Sequence, residues 1–328
     1  MKAIFTTSIL LTSFCSTVYA DPVVTYREFS FRSEAEKQAA EKKALKTIED
    51  TYYLLPDVRN CRAGTQLSGE KRKVLKELNA IRRAHNLEEV GYDESKDRYT
   101  AASALISAAN KKLDHYPTSR MKCFTQDGYL GSSEGNLSLK FGQIFFVPDN
   151  FAEYVVSSLL IDDNVPSLGH RFWFLDPFLG DISYGRSTDT RKDYVDAATV
   201  YVGNRKESIP NTKANYIAYP FGNYKSRWFM HDWYSSFSVI VDKKNFSRNL
   251  GAVDYSRAQI RVTNSNGNSM PIKNITYTNP ASRSFTGLGN SIQWQIIGTK
   301  DNERYYVQIK NVIVNGKVTD YDYWFQIQ

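Results

Sequence analysis

Apolar residues recur at helical spacing through the first half of the chain and at alternate positions through much of the second. In EKRKVLKELNAIRRAHNL, residues 70–87, Val74, Leu78 and Ile81 share one stripe that His85 continues, which predicts an amphipathic helix. DRYTAASALISAANKKLDHYP, residues 97–117, sets Ala102, Leu105, Ile106, Ala109 and Leu113 on one face, and Pro117 is expected to end it. A third helix is expected in NFAEYVVSSLLI, which runs into Asp162-Asp163. Further upstream, Ser33 and Glu36 have the spacing of a capping box, ahead of an Ala-, Glu- and Lys-rich segment reaching about Tyr53. Its apolar content is so thin that this helix must lie on something else.

After about residue 180 the runs become short and β-like: DAATVYVG, ANYIAYPF and YSSFSVIVD. Asn266-Gly267 and Asn315-Gly316 each stand between two strand-like runs, the pattern of a β-hairpin. Tyr321, Tyr323, Phe325 and Ile327 alternate with polar or partly exposed positions, so the last 85 or so residues predict a small all-β, Ig-like sandwich. Helices first and strands later place the chain in the α+β class. Four segments are expected: a leader at 1–20, a helical extension at 21–65, an α+β domain at 66–241 and the sandwich at 242–328.

The first of these rests on MKAIFTTSILLTSFCSTVYADP, where one Lys precedes an apolar run and small residues surround Ala20, as in a cleaved secretory signal. Cys15 lies within it, and Thr12-Ser13-Phe14 makes a poor lipoprotein box. No later run reaches the roughly 18 apolar residues that cross a bilayer, so no transmembrane segment is expected. A secreted or periplasmic location follows. There the two remaining cysteines, Cys61 and Cys123, are expected to pair, a closure that contributes about 4 kcal/mol in the chain-entropy model. Net charge is +7, or +6 once Lys2 is removed, with both signs interleaved as in SEAEKQAAEKKALKTIED. That is a solvated face, and no nucleic-acid partner is expected.

Of the four histidines, His115 and His170 are nearest to acidic residues: Asp114 for the first, Asp162 and Asp163 for the second. Two imidazoles with one or two carboxylates can hold zinc or magnesium, or serve as acid and base. No H-E-x-x-H spacing fixes them together, and two separately satisfied histidines is the plainer reading. His115 follows a helix end, where the macrodipole favours the charged imidazole. In GHRFWFLDP, residues 169–177, Arg171 reads as an ion pair or carbonyl clamp, and Phe172 to Leu175 as packing residues. Asn136 is expected to order a loop through backbone hydrogen bonds.

Four blocks in order resemble the CAP superfamily of cysteine-rich secretory, antigen 5 and pathogenesis-related proteins (SCP-like domains). They are the L-N-x-x-R helix with the Ala-rich helix and His115, then GYLGSSEGNLS, then SLGHRFWFLDPFLGDISYG, and last IAYPFGNYKSRWFMHDWYSSFS. The resemblance covers about residues 70–240. It implies an α-β-α sandwich whose cleft holds His115 and His170, with two acids completing a tetrad. One acid normally precedes the Asn of the second block; here that position is Gly135, and the nearest carboxylate is Glu134. The other would come from Glu153, Asp162 or Asp163. The expected cleft is therefore His115, Glu134, Asn136, Asp163 and His170, with His115 and His170 as candidate ligands for zinc or magnesium. The expected function is binding of a small apolar ligand such as a lipid or sterol, of a divalent metal, or of an extracellular protein or glycan partner. The alternative is a hydrolase, a peptidase or cell-wall enzyme, using His115, His170 and Glu134.

Overall fold

The first helix, α1 (Glu34–Glu49), begins where the capping box places it, with Ser33 Oγ accepting the Glu36 amide at 3.1 Å. The computed structural model describes residues 32–142, 144, 150–191, 194–278 and 287–328; the expected leader at 1–20 lies outside them. Only Ala44 and Ile48 of α1 are buried, and Ile48 packs with Tyr52 and Tyr194. Next come β1 (Tyr52–Leu54) and β2 (Thr65–Gln66), an antiparallel pair, and the Tyr52 hydroxyl lies 3.0 Å from that of Thr188. Cys61 is bonded to Cys123. A weakly amphipathic extension is thus held by tertiary contacts, as its composition requires.

The second helix, α2 (Ser68–Ala84), buries Val74, Leu78 and Ile81, with buried His85 as its C-cap. Asn79 pairs with both backbone groups of Val90 at 2.9 Å, and buried Arg82 reaches the carbonyls of Glu88, Phe174 and Asp176 at 2.7, 2.9 and 2.8 Å. The L-N-x-x-R motif therefore works as a backbone clamp. Helix α3 (Asp97–Asn110) stops before the expected limit at Pro117. Lys111 turns left-handed, and the Asn110 amide bonds to both backbone groups of Lys122, which leads the chain to Cys123. A local side-chain tie ended the helix before proline did.

There follow α4 (Gln126–Ser133), β3 (Gly135–Gly142), α5 (Phe151–Ile161), α6 (Gly169–Phe174), β4 (Ser183–Asp189) and β5 (Tyr194–Tyr201). The three strands form one antiparallel sheet in the order β3-β5-β4. β5 is buried throughout because both its faces are covered. Val195 and Ala197 pack with Ala104, Leu105 and Ala108 of α3, while Ala198 and Val200 join the core built by α2 and α5. α3 sits so close to β4 that a Cβ on Gly185 would lie 2.3 Å from the Thr100 backbone. Arg186 and Asp196 form a buried bidentate pair across β4 and β5, which also takes the Tyr194 hydroxyl at 2.5 Å.

The remaining strands are β6 (Tyr216–Tyr219), β7 (Gly222–Tyr224), β8 (Tyr234–Val239), β9 (Val253–Asp254), β10 (Gln259–Asn264), β11 (Ile272–Thr278), β12 (Ser291–Ile296), β13 (Arg304–Val314) and β14 (Lys317–Ile327). They make two sheets, β11-β12-β8-β6 and β10-β13-β14-β7, with β9 on β13. Tyr216 and Phe237 of the first sheet meet Tyr321 and Tyr323 of the second, at ring separations of 5.0 to 6.3 Å. Two expectations change here. Strands β7 and β8 precede residue 242 yet pair with β14 and β12, and β6 joins the same sheet through β8, so hydrogen bonding crosses the expected 241/242 boundary. The chain does turn at Asn266-Gly267, but β10 goes to β13 and β11 to β12, with only a Thr263–Ser269 bridge near the turn. That turn passes the chain between sheets. Asn315-Gly316, by contrast, closes the β13–β14 hairpin with both residues at positive φ, as a type I′ turn needs.

The protein is thus of the α+β class, with one disulfide. No helix among the described residues is long and apolar enough to cross a membrane.

Candidate functional site

The site is built at the junction of α5 and α6. α5 ends on Asp162, a left-handed residue with a buried side chain, and the chain returns through a second left-handed residue, Leu168, into α6. Asp162 Oδ2 accepts the amides of His170 and Arg171 at 3.0 and 3.2 Å, capping the open N-terminus of α6. Its other oxygen lies 2.7 Å from His170 Nδ1. A carboxylate can only accept here, so Nδ1 carries the proton and Nε2 has the lone pair when the ring is neutral. Asn136, buried on β3, donates to the His170 carbonyl at 3.0 Å. It acts on the backbone of helix α6, where a loop was expected.

His115 lies beyond α3, and its Nδ1 is 2.8 Å from the Ser132 carbonyl near the end of α4. The carbonyl again assigns the proton to Nδ1. Burial holds this imidazole below its ordinary pKa, and the charge of His170 acts in the same direction, against the Ser132 carbonyl and Asp114. The expectation that a helix end would favour charged His115 is therefore corrected. Desolvation outweighs a macrodipole whose last turn closes at Asn110.

The acids are arranged differently from the expected set. The carboxylate on His170 is Asp162; Asp163, one residue on, is half-buried, and burial raises its carboxyl. Glu134, the C-cap of α4, accepts a short hydrogen bond from the Tyr201 hydroxyl, and Lys96 lies over the Tyr201 ring at 5.6 Å. Gly135 explains why no acid stands one residue later: a Cβ there would come within 2.4 Å of the Gly131 carbonyl and 2.6 Å of Thr199 Cγ2. Backbone would have to move. Gly135→Ala is accordingly expected to destabilise the protein by about 2 kcal/mol, read as a lower urea midpoint with unchanged slope.

Arg171 is a carbonyl clamp. Fully buried, it donates to Leu160 O, Ile161 O and Tyr234 O at 2.8, 2.6 and 2.8 Å, with its guanidinium 3.8 Å from the Tyr219 ring centre. Phe172 and Phe174 are buried beside it, in keeping with their expected packing role. His85 and His231 lie elsewhere, bonded to Tyr224 and to Thr299 and Asp301.

Two imidazoles alone fall short of the three protein ligands of a catalytic zinc, and magnesium prefers oxygen donors. Among the described residues no three of His, Cys, Asp and Glu come together as a metal group. The two imidazoles by themselves can act as hydrogen-bonding or acid–base groups. Sequence reasoning missed Tyr201 as the partner of Glu134, since nothing local links residues so far apart. It had Asp162 in view without a means of preferring it. No protein-family model matches this chain, and no curated protein matches it.

Proposed function

We propose that the chain is a CAP-like secreted protein whose α-β-α layers present His115 and His170 as a binding cleft for a small apolar ligand, without turnover. One observation carries this reading. Both histidines are anchored through Nδ1, yet the acid that would complete a reactive tetrad accepts from Tyr201. Gly135 cannot supply a replacement without moving backbone. What remains is a pair of oriented, largely desolvated imidazoles, suited to accept hydrogen bonds from the polar end of a ligand whose apolar part supplies the affinity.

A solvent extract of the purified protein, examined by mass spectrometry, is expected to contain a lipid- or sterol-class molecule that is missing from the His115→Ala/His170→Ala variant. A hydrolase is the second reading, favoured by the His170–Asp162 pair, in which a buried carboxylate orients an imidazole as it would a general base. Release of peptide or cell-wall fragments by the wild type, abolished in His170→Ala with its circular dichroism intact, would establish that reading instead.

A further inference from the structure

The segment from Asp162 to Phe174 carries the whole His170 arrangement, and the C-terminal sheets grip it at four places. Trp233, just before β8, donates its indole N–H to the Asp162 carbonyl at 3.2 Å. The next residue, Tyr234, offers its carbonyl to Arg171 at 2.8 Å. Gln293 of β12 donates to the Pro166 carbonyl at 2.6 Å, in the middle of the loop. Gly287 lies against α6 so closely that a Cβ would fall 2.4 Å from the Phe172 carbonyl.

We infer that Trp233 and Gln293 are positioning residues for His170, so that the C-terminal sheets set the geometry of the cleft. The physical reason lies in the loop. Its ends are two left-handed residues, Asp162 and Leu168, and its middle, Asn164, is a third. Such backbone is costly for side-chain-bearing residues and persists only where surrounding contacts over-determine it. Asp162 makes three bonds to His170 and Arg171, and those are kept only while its own backbone stays fixed. Trp233 adds a tertiary donor at that carbonyl, which within the loop accepts the Val165 amide at 3.0 Å. Gln293 holds the return path. Both donors come from strands or turns paired into β12-β8, a rigid support remote in sequence.

The inference rests on His170 as the working group of the proposed cleft, but its test reads the imidazole itself and needs no ligand. In 15N-histidine-labelled full-length protein, the hydrogen-bonded Nδ1 proton of His170 is expected to exchange with solvent about ten-fold faster in Trp233→Phe/Gln293→Met than in wild type. The Nδ1 proton of His115, held by Ser132, serves as the control and should exchange at the wild-type rate. Each single variant should show an intermediate acceleration, which keeps the test open if the double variant folds poorly. Unchanged His170 exchange would overturn the inference, as would equal acceleration at both histidines, which reports general loosening. Failure of the ligand-extraction experiment with a positive result here would reject the proposed function and leave the positioning role standing.

Discussion

Arg171→Met is expected to lower the stability of the protein by about 3–5 kcal/mol, the range for removing one partner from a buried, fully bonded charge site. Methionine fills much of the volume but donates nothing. Three buried carbonyls, Leu160, Ile161 and Tyr234, would then lack the donor they now share. Each orphaned acceptor costs about 1–3 kcal/mol, offset in part by no longer having to desolvate the guanidinium. Two of the three belong to the end of α5, whose dipole also favours a cation there. Urea unfolding checks this: a fall in midpoint at constant slope is expected, and a loss under about 1 kcal/mol would mean that the carbonyls find other donors. Arg171→Lys should recover only part of the loss, because one ammonium cannot span a three-carbonyl fork.

The second large effect concerns acid. Burial brings the His85 imidazole down to about 3 from its ordinary 6.5, and the nearby charges of Arg82 and Arg171 act in the same direction. The unfolded chain therefore takes up a proton that the folded chain refuses. The stabilisation from keeping this ring neutral is fully present above 6.5 and is lost as pH falls toward 3, by up to about 5 kcal/mol. Asp176 has the opposite sign: burial raises its carboxyl to about 6, so it favours the fold as pH drops from 6 toward 4. The informative quantity is thus the difference between wild type and His85→Gln, which keeps a polar group near the Tyr224 hydroxyl. Between pH 7 and pH 4 the wild type should lose about 3 kcal/mol more than the variant. Parallel pH profiles would show that His85 titrates normally.

Much of the helical half was legible because its determinants are local. The stripe of Val74, Leu78, Ile81 and His85 follows from a 3.6-residue period, and all four are buried. Ser33 caps α1, and Arg171 is the clamp that its apolar neighbours suggested. What could not be read depended on distant partners or on single backbone angles. Asp162 and Asp163 are chemically identical, and the left-handed turn at Asp162 decides which one reaches His170. Glu134 is turned by Tyr201, which sequence alone does not place beside it. Strands β6 and β8 were visible as strands and pair with each other, but β12, the second partner of β8, lies many residues later, beyond any local pattern.

That last arrangement also bears on the order in which the protein can be assembled. β7 lies parallel to β14, with Gly222 opposite Phe325, and the Gln328 amide closes onto the Tyr224 carbonyl. Residues roughly a hundred positions apart must meet before either edge is covered, a slow step because the loop entropy is lost before the contact rewards it. Tyr224 is also the partner of His85 at the end of α2, so the strand that β14 covers is the one that holds this helix end. A chain emerging from its N-terminal end would keep one side of β8 open until β12 follows and β7 open until β14 follows, a window in which a chaperone that shields strand edges would have its greatest effect on yield.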